Sequence, residues 1–145
     1  MARLQAEGPL CCCGNLRKAM RAVTQFYDSA LRPSGLRASQ LGVLAASKTL
    51  GTVTVSRLAA QMVMDRTTLT RNLRPLAKAR LIRLAPGKDR REREITVTPA
   101  GEEVLARAYP LWQGAQAKIT KALGQKRLER LLADLAAVVE AARKR

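Results

Sequence analysis

The chain has 145 residues, of which 47% are apolar and 3% aromatic, enough for one domain or for two small lobes that share a core. Lysine and arginine number 27 against 11 acidic residues, which gives a formal net charge of +16, and there is no histidine. The apolar content argues against disorder. The lack of histidine excludes Ser-His and Cys-His catalysis and histidine-ligated metals. The positive charge favours a polyanionic partner, with nucleic acid as the first candidate and an anionic membrane surface as the second.

The apolar pattern and the cysteines indicate where the protein is located and which kinds of protein it could be. No apolar run approaches the roughly 20 residues that span a bilayer, and the N-terminus lacks the apolar core of a signal peptide. The three cysteines are adjacent, at Cys11, Cys12 and Cys13, which suits neither a secreted disulfide framework nor a Cys-x-x-Cys redox enzyme. We therefore expect a cytoplasmic protein that is not an enzyme, does not bind membranes and has no resident cofactor or metal.

Two helices and a short extended segment are predicted first. Apolar residues at helical spacing predict a helix over 16–31, which Pro33 and Gly35 end. A second helix is predicted over 38–50, and a short β-like segment over 52–54. The second helix carries Leu41, Leu44 and Ala45 on one side.

Two short helices then follow in close succession. Thr54 is suited to cap the first and Asp65 the second, and only residues 62–64 lie between the two helices. Helices joined by so short a turn must cross steeply, which predicts a helix-turn-helix. The inward residues of its second helix are predicted to be Leu69, Leu73 and Leu76.

After residue 80 the apolar period changes from that of a helix to that of a strand. Residues 81–84 and 94–98 are predicted strands, joined by a basic loop over 86–93 into a hairpin. Thr98 and Pro99 then start a long helix. Gly124 separates it from a last helix, whose apolar stripe consists of Leu128, Leu131, Leu132, Leu135, Val138, Val139 and Ala142.

A helix-turn-helix followed by a hairpin is a winged helix. The predicted fold is therefore mainly α with a small β-hairpin wing (α+β). A winged helix-turn-helix domain occupies 36–98, with a recognition helix over 65–79 and a wing over 82–98. The N-terminal segment 1–35 and the C-terminal helices in 99–145 are too apolar for the surface of a monomer and are predicted to form a dimerisation lobe.

The runs MDRTTLTRNLRPLAKARLI and DRREREITVTPAG resemble the MarR family of winged-helix transcription regulators. Asp89 and Arg91 match the family's Asp-x-Arg pair, and VTPAG matches the segment that follows it. Arg80 stands where the family commonly has glycine, and Val63 where many helix-turn-helix proteins do. The resemblance implies a dimeric, sequence-specific DNA-binding regulator, a repressor on a pseudo-palindromic operator, released by a small aromatic ligand or an oxidant.

The resemblance also implies that the recognition helix enters the major groove and the wing an adjacent minor groove. Residues 65–95 carry ten bases and four acids, a net +6. We expect Arg91 to insert into the minor groove, Asp89 to orient its guanidinium, and Arg90 and Arg93 to contact phosphates. The other interpretation of this loop is a solvated charged turn. The predicted DNA-binding residues are Arg66, Thr67, Thr68, Thr70, Arg71, Arg74, Lys88, Asp89, Arg90, Arg91 and Arg93.

Two groups of residues are candidates for sensing an effector. Cys11, Cys12 and Cys13 are predicted just before the first helix, whose N-terminus would favour the thiolate. They could form an intersubunit disulfide, bind a soft metal or metalloid, or have no role. The aromatic residues could line a cleft between the lobes, although core packing would also account for them. These residues are Phe26, Tyr27, Tyr109 and Trp112. The competing function is a non-specific nucleic-acid-binding or architectural protein, which the net charge alone would suit.

Overall fold

The fold is a winged helix flanked by long terminal helices, in a computed structural model that describes residues 10–144. The predicted fold class is confirmed. Residues 1–9 and Arg145, which belong to the predicted terminal segments, lie outside the described part. No helix between residues 10 and 144 is long and apolar enough to cross a membrane. The elements are α1 (Cys12–Leu31), α2 (Ala38–Leu50), β1 (Val53–Thr54), α3 (Val55–Gln61), α4 (Arg66–Lys78), β2 (Ile82–Pro86), β3 (Arg93–Val97), α5 (Pro99–Leu123) and α6 (Gln125–Arg143).

Helix α1 begins four residues earlier than predicted. Cys11 is its N-cap, with Sγ accepting a hydrogen bond from the N–H of Gly14 at 3.4 Å. Cys12 and Cys13 therefore belong to the first turn rather than to a segment before the helix. The helix ends at Leu31 as predicted, where a 3-10 turn and a left-handed Gly35 (φ 77°) redirect the chain.

The core lies between α2, α3, α4 and the sheet. The three leucines predicted to face inward from α4 are 0–1% exposed, as the helical spacing requires. On α2 the residues that face the core are Val43, Leu44 and Ser47, which are fully buried, while Ala45 is exposed. Ser47 is accommodated because its hydroxyl donates to the carbonyl of Val43 at 2.8 Å. The side of α2 with Leu41 and Ala45 faces a cavity instead of the core.

The sheet has three antiparallel strands in the order β1-β3-β2. Ile95, fully buried, lies at its centre and pairs with Val53 on one side and Leu84 on the other. Pairing extends to Pro86 opposite Arg93, so the loop of the wing covers only 87–92 and is shorter than predicted. The wing strands themselves are confirmed.

Thr98 joins the wing to the long helix α5. Its N–H donates to the carbonyl of Leu81 at 3.0 Å, and its hydroxyl donates to the carbonyl of Arg80 at 2.7 Å. The same hydroxyl accepts from the N–H of Gly101 at 3.1 Å and so caps α5. One side chain thus connects the end of α4, the start of the wing and the first turn of α5.

Two residues have the left-handed backbone conformation that glycine adopts without strain. Val63, in the turn of the helix-turn-helix, has φ 54°, and Arg80, after α4, has φ 58°. These are the two positions where glycine is common in such proteins. A β-branched residue in this conformation is strained by about 1–3 kcal/mol.

Replacing Val63 with glycine is expected to stabilise the protein. Relief of strain exceeds the extra chain entropy of glycine, about 0.5–1 kcal/mol, so we expect a net gain of roughly 1 kcal/mol in the free energy of unfolding. Urea denaturation at fixed protein concentration measures it. The control is Ala60→Gly, at a helical position nearby, which should lower stability. If both variants lost the same free energy of unfolding, the assignment of strain to Val63 would be contradicted.

Candidate nucleic-acid interface

Asp65 fixes the N-terminus of α4. One carboxylate oxygen accepts from the N–H of Thr68 at 2.8 Å, and the other from the Thr68 hydroxyl at 2.6 Å. Both hydrogen bonds stabilise the charged form and lower the pKa of Asp65. The prediction that Asp65 caps the helix is confirmed. The Thr68 hydroxyl donates its hydrogen to this cap and the side chain is half-buried, so only its methyl group and a hydroxyl lone pair are left for the DNA contact, which stays a prediction.

Because the pKa of Asp65 is lower in the folded state, the cap stabilises the protein above the ordinary aspartate pKa of about 4. This stabilisation is lost as the pH falls through the lower folded-state value. We expect Asp65→Ala to have a lower melting temperature than the parent protein at pH 7. The difference between the two melting temperatures should shrink progressively below about pH 4. Melting curves over this range measure it. Asp65→Asn keeps a capping oxygen without a charge, so its advantage over alanine should not vary with pH.

The solvent face of α4 is basic and polar. Its members alternate with the three buried leucines, so they project on the side away from the core. Within residues 10–144 the one ion pair joins Lys48 to Glu102, so the bases of α4 form no ion pair in this part of the chain. The exposed predicted residues on this face are Arg66, Thr67, Thr70, Arg71 and Arg74.

The loop of the wing is held by its own backbone. The N–H of Gly87 donates to the carbonyl of Glu92, and that of Glu92 to the carbonyl of Asp89, both at 2.9 Å. The Asp89 carboxylate accepts from the backbone N–H of Arg91 at 2.9 Å. The short aspartate side chain thus closes an Asx turn two residues on, and its orientation of the Arg91 guanidinium stays a prediction. The exposed bases of the wing are Lys88, Arg90, Arg91 and Arg93.

The helix and the wing are neighbours in space as well as in sequence. Residues 79–81 connect them, with the N–H of Leu81 donating to the carbonyl of Leu76 at 2.9 Å. Thr98 fixes this connection from the far end of the hairpin. Sequence reasoning identified Thr98 only as a helix start and missed this second role, for which the residues give no local signal.

A cavity of about 800 Å³ lies between α1, α2 and α5. Of the four aromatic residues predicted for a cleft, Tyr27, Tyr109 and Trp112 line it, and the last two stack with centroids 5.8 Å apart. Phe26 lies outside the lining and packs edge-on against Tyr27 at 5.6 Å. The Tyr27 hydroxyl donates to Gln116 at 2.5 Å, and burial raises the Tyr27 pKa.

The cysteines lie at the start of α1, at the opposite end of this helix from Phe26 and Tyr27. Cys11, Cys12 and Cys13 are all exposed free thiols. Among residues 10–144 there is no group of three or more cysteines or acids with an arrangement that could hold a metal ion.

Comparison with solved structures finds close similarity over nearly the whole chain. The DNA complex of the Mycobacterium tuberculosis transcriptional regulator MosR is 42% identical, covers 92% of this chain and 98% of that chain, and superposes with a TM-score of 0.81. A second MosR crystal structure is 40% identical (90% and 96% covered, TM-score 0.76). The transcriptional repressor CouR on a 23-mer DNA duplex, at 23% identity, shares the fold (92% and 95%, TM-score 0.82). No family profile and no curated protein matches the chain.

Proposed function

The chain belongs to the MarR family of transcriptional regulators, and we propose that it is a dimeric cytoplasmic repressor that binds a pseudo-palindromic operator. It acts by binding DNA and not as an enzyme. In this proposal residues 36–98 contact DNA, and the segments 1–35 and 99–145 hold the dimer together.

The observation that carries the proposal is the set of exposed bases on α4 and the wing that form no ion pair among residues 10–144. Arg66, Arg71 and Arg74 lie on the solvent face of α4. An arginine presented to the major groove can form two hydrogen bonds to one guanine. Arg91 lies in the loop of the wing, whose length and fixed backbone suit a narrow minor groove. Duplex DNA supplies the negative charge that this chain does not.

Exposed apolar residues on the terminal helices support the dimer. Only Leu128 of the apolar stripe on α6 is buried, and so the stripe does not serve merely to cover α5 within one chain. On α1, Met20 is 64% exposed. Burying these residues against a second copy would present two recognition helices about 34–36 Å apart, one turn of DNA. The exposed members of the stripe are Leu131, Leu132, Val138, Val139 and Ala142.

Selective binding to its own promoter tests the function. We expect affinity for the intergenic region beside its own coding sequence to exceed that for random DNA by a thousandfold or more at matched salt. Sedimentation of the complex should give two chains per palindrome. A ratio near one would favour the alternative, a non-specific or architectural protein. A monomer that binds one palindrome tightly would contradict the dimer.

Two places could receive the effector. The cavity between α1, α2 and α5 adjoins both the terminal helices and the winged helix, so a ligand there could change their relative position. The exposed Cys11, Cys12 and Cys13 would instead serve an oxidant. Loss of operator affinity on peroxide treatment, absent from the triple serine variant, would support the thiols. If peroxide did not change the operator affinity of the parent protein, peroxide sensing would be excluded.

A further inference from the structure

The charge of the cavity is already neutralised from within the chain. Among the described residues that line it, Lys48 is the only charged one. Its ammonium group forms an ion pair and hydrogen bond with Glu102, on the first turn of α5. Both side chains are about half exposed, so the pair lies at the rim of the cavity, within reach of a bound molecule.

The remaining polar groups of the lining are likewise engaged or uncharged. The Tyr27 hydroxyl donates a hydrogen bond to Gln116, and the Thr49 hydroxyl donates one to the carbonyl of Ala45 at 3.0 Å. Tyr109 adds a phenol, which cannot balance a full charge. Leucines and the Trp112 ring form most of the rest of the surface. A volume of about 800 Å³ suits a ligand of two or three rings.

We propose that this cavity binds an uncharged aromatic or aliphatic molecule in preference to an organic anion, and that Glu102 sets this preference by neutralising Lys48. An anion would lose its hydration without gaining an unpaired cation, and would face the Glu102 carboxylate or displace it. An uncharged molecule loses little hydration and gains the apolar surface. The inference rests on the proposed role of the cavity as an effector site.

Two fluorescent probes that differ by one sulfonate test the preference. Phenylnaphthylamine is uncharged, and anilinonaphthalene sulfonate is its anionic counterpart. Trp112 is the only tryptophan of the chain and lines the cavity, so its quenching reports occupancy directly. At about 0.15 M salt we expect the uncharged probe to bind at least roughly tenfold more tightly. Ala45→Phe, which enlarges an exposed side chain that already lines the cavity, should abolish the quenching.

The role of Glu102 is tested by removing its charge. Glu102→Gln leaves Lys48 unbalanced, and we expect sulfonate affinity to rise about fivefold while that of the uncharged probe changes little. Glu103→Gln removes the same charge one residue further along α5, away from the ion pair, and should change neither affinity.

Three results would overturn the proposal: equal or tighter sulfonate binding by the parent, the same gain in both glutamine variants, or no quenching by the uncharged probe. Operator binding without probes is measured separately on the same samples. Selective operator binding with any of these results would refute the ligand class and leave the repressor function standing. Non-selective operator binding would refute that function and leave the probe affinities to decide the ligand class.

Discussion

Arg91→Ala is expected to weaken binding to the specific operator about tenfold to a hundredfold, with a much smaller effect on random DNA. Arg91 is exposed in the loop of the wing, and Asp89 fixes its backbone through the N–H at 2.9 Å. A guanidinium held at this position can enter a narrow A·T-rich minor groove, where the negative potential is concentrated. Fluorescence anisotropy with operator and scrambled duplexes at the same salt concentration measures the two affinities.

Lys88→Ala is the matched control, because it removes one charge from the same loop at a residue expected to contact only phosphate. We expect it to weaken operator and random DNA alike and to lower the slope of log affinity against log salt by roughly one. An Arg91→Ala protein with the affinity of the parent at matched salt would contradict the minor-groove assignment. If Arg91→Ala lost the same affinity for the operator and for random DNA, Arg91 would contact only phosphate.

Gly101→Ala is expected to lower the free energy of unfolding by about 3 kcal/mol, at the upper end of the usual overpacking cost. A Cβ on Gly101 would lie 2.1 Å from the carbonyl oxygen of Leu81 and 2.9 Å from Val97. No rotamer relieves contact with a backbone carbonyl, and so α5 must move away from the end of α4. That movement would break the hydrogen bonds of Thr98, and operator binding should weaken together with stability.

Gly114→Ala is the control within the same helix. A Cβ there has no atom within 4 Å, and alanine favours the helix by up to about 1 kcal/mol. Thermal and urea unfolding of both variants at equal protein concentration measure the difference. If Gly101→Ala were as stable as Gly114→Ala, the close approach of α5 to Leu81 would not constrain the fold.

The elements that sequence predicted best are those built from contacts a few residues apart. Asp65 and Thr54 cap α4 and α3 as expected, since a cap bonds a backbone N–H three residues on. The leucines of α4 point inward because their spacing matches the helical turn. Even the strained positions were visible, as Val63 and Arg80 occupy sites that favour glycine, and both have positive φ.

Sequence by itself therefore determined the order of the elements, the caps, the buried face of the recognition helix and the excess of positive charge that needs an external partner. Only the tertiary structure decided which atoms meet across long separations. It opened a cavity between Ala45 of α2 and Trp112 of α5, and it placed the Thr98 hydroxyl against the carbonyl of Arg80, 18 residues earlier in the chain. It also brought Lys48 to Glu102, 54 residues on. Local patterns cannot specify such contacts, because they depend on how whole helices pack and not on the spacing within any one of them.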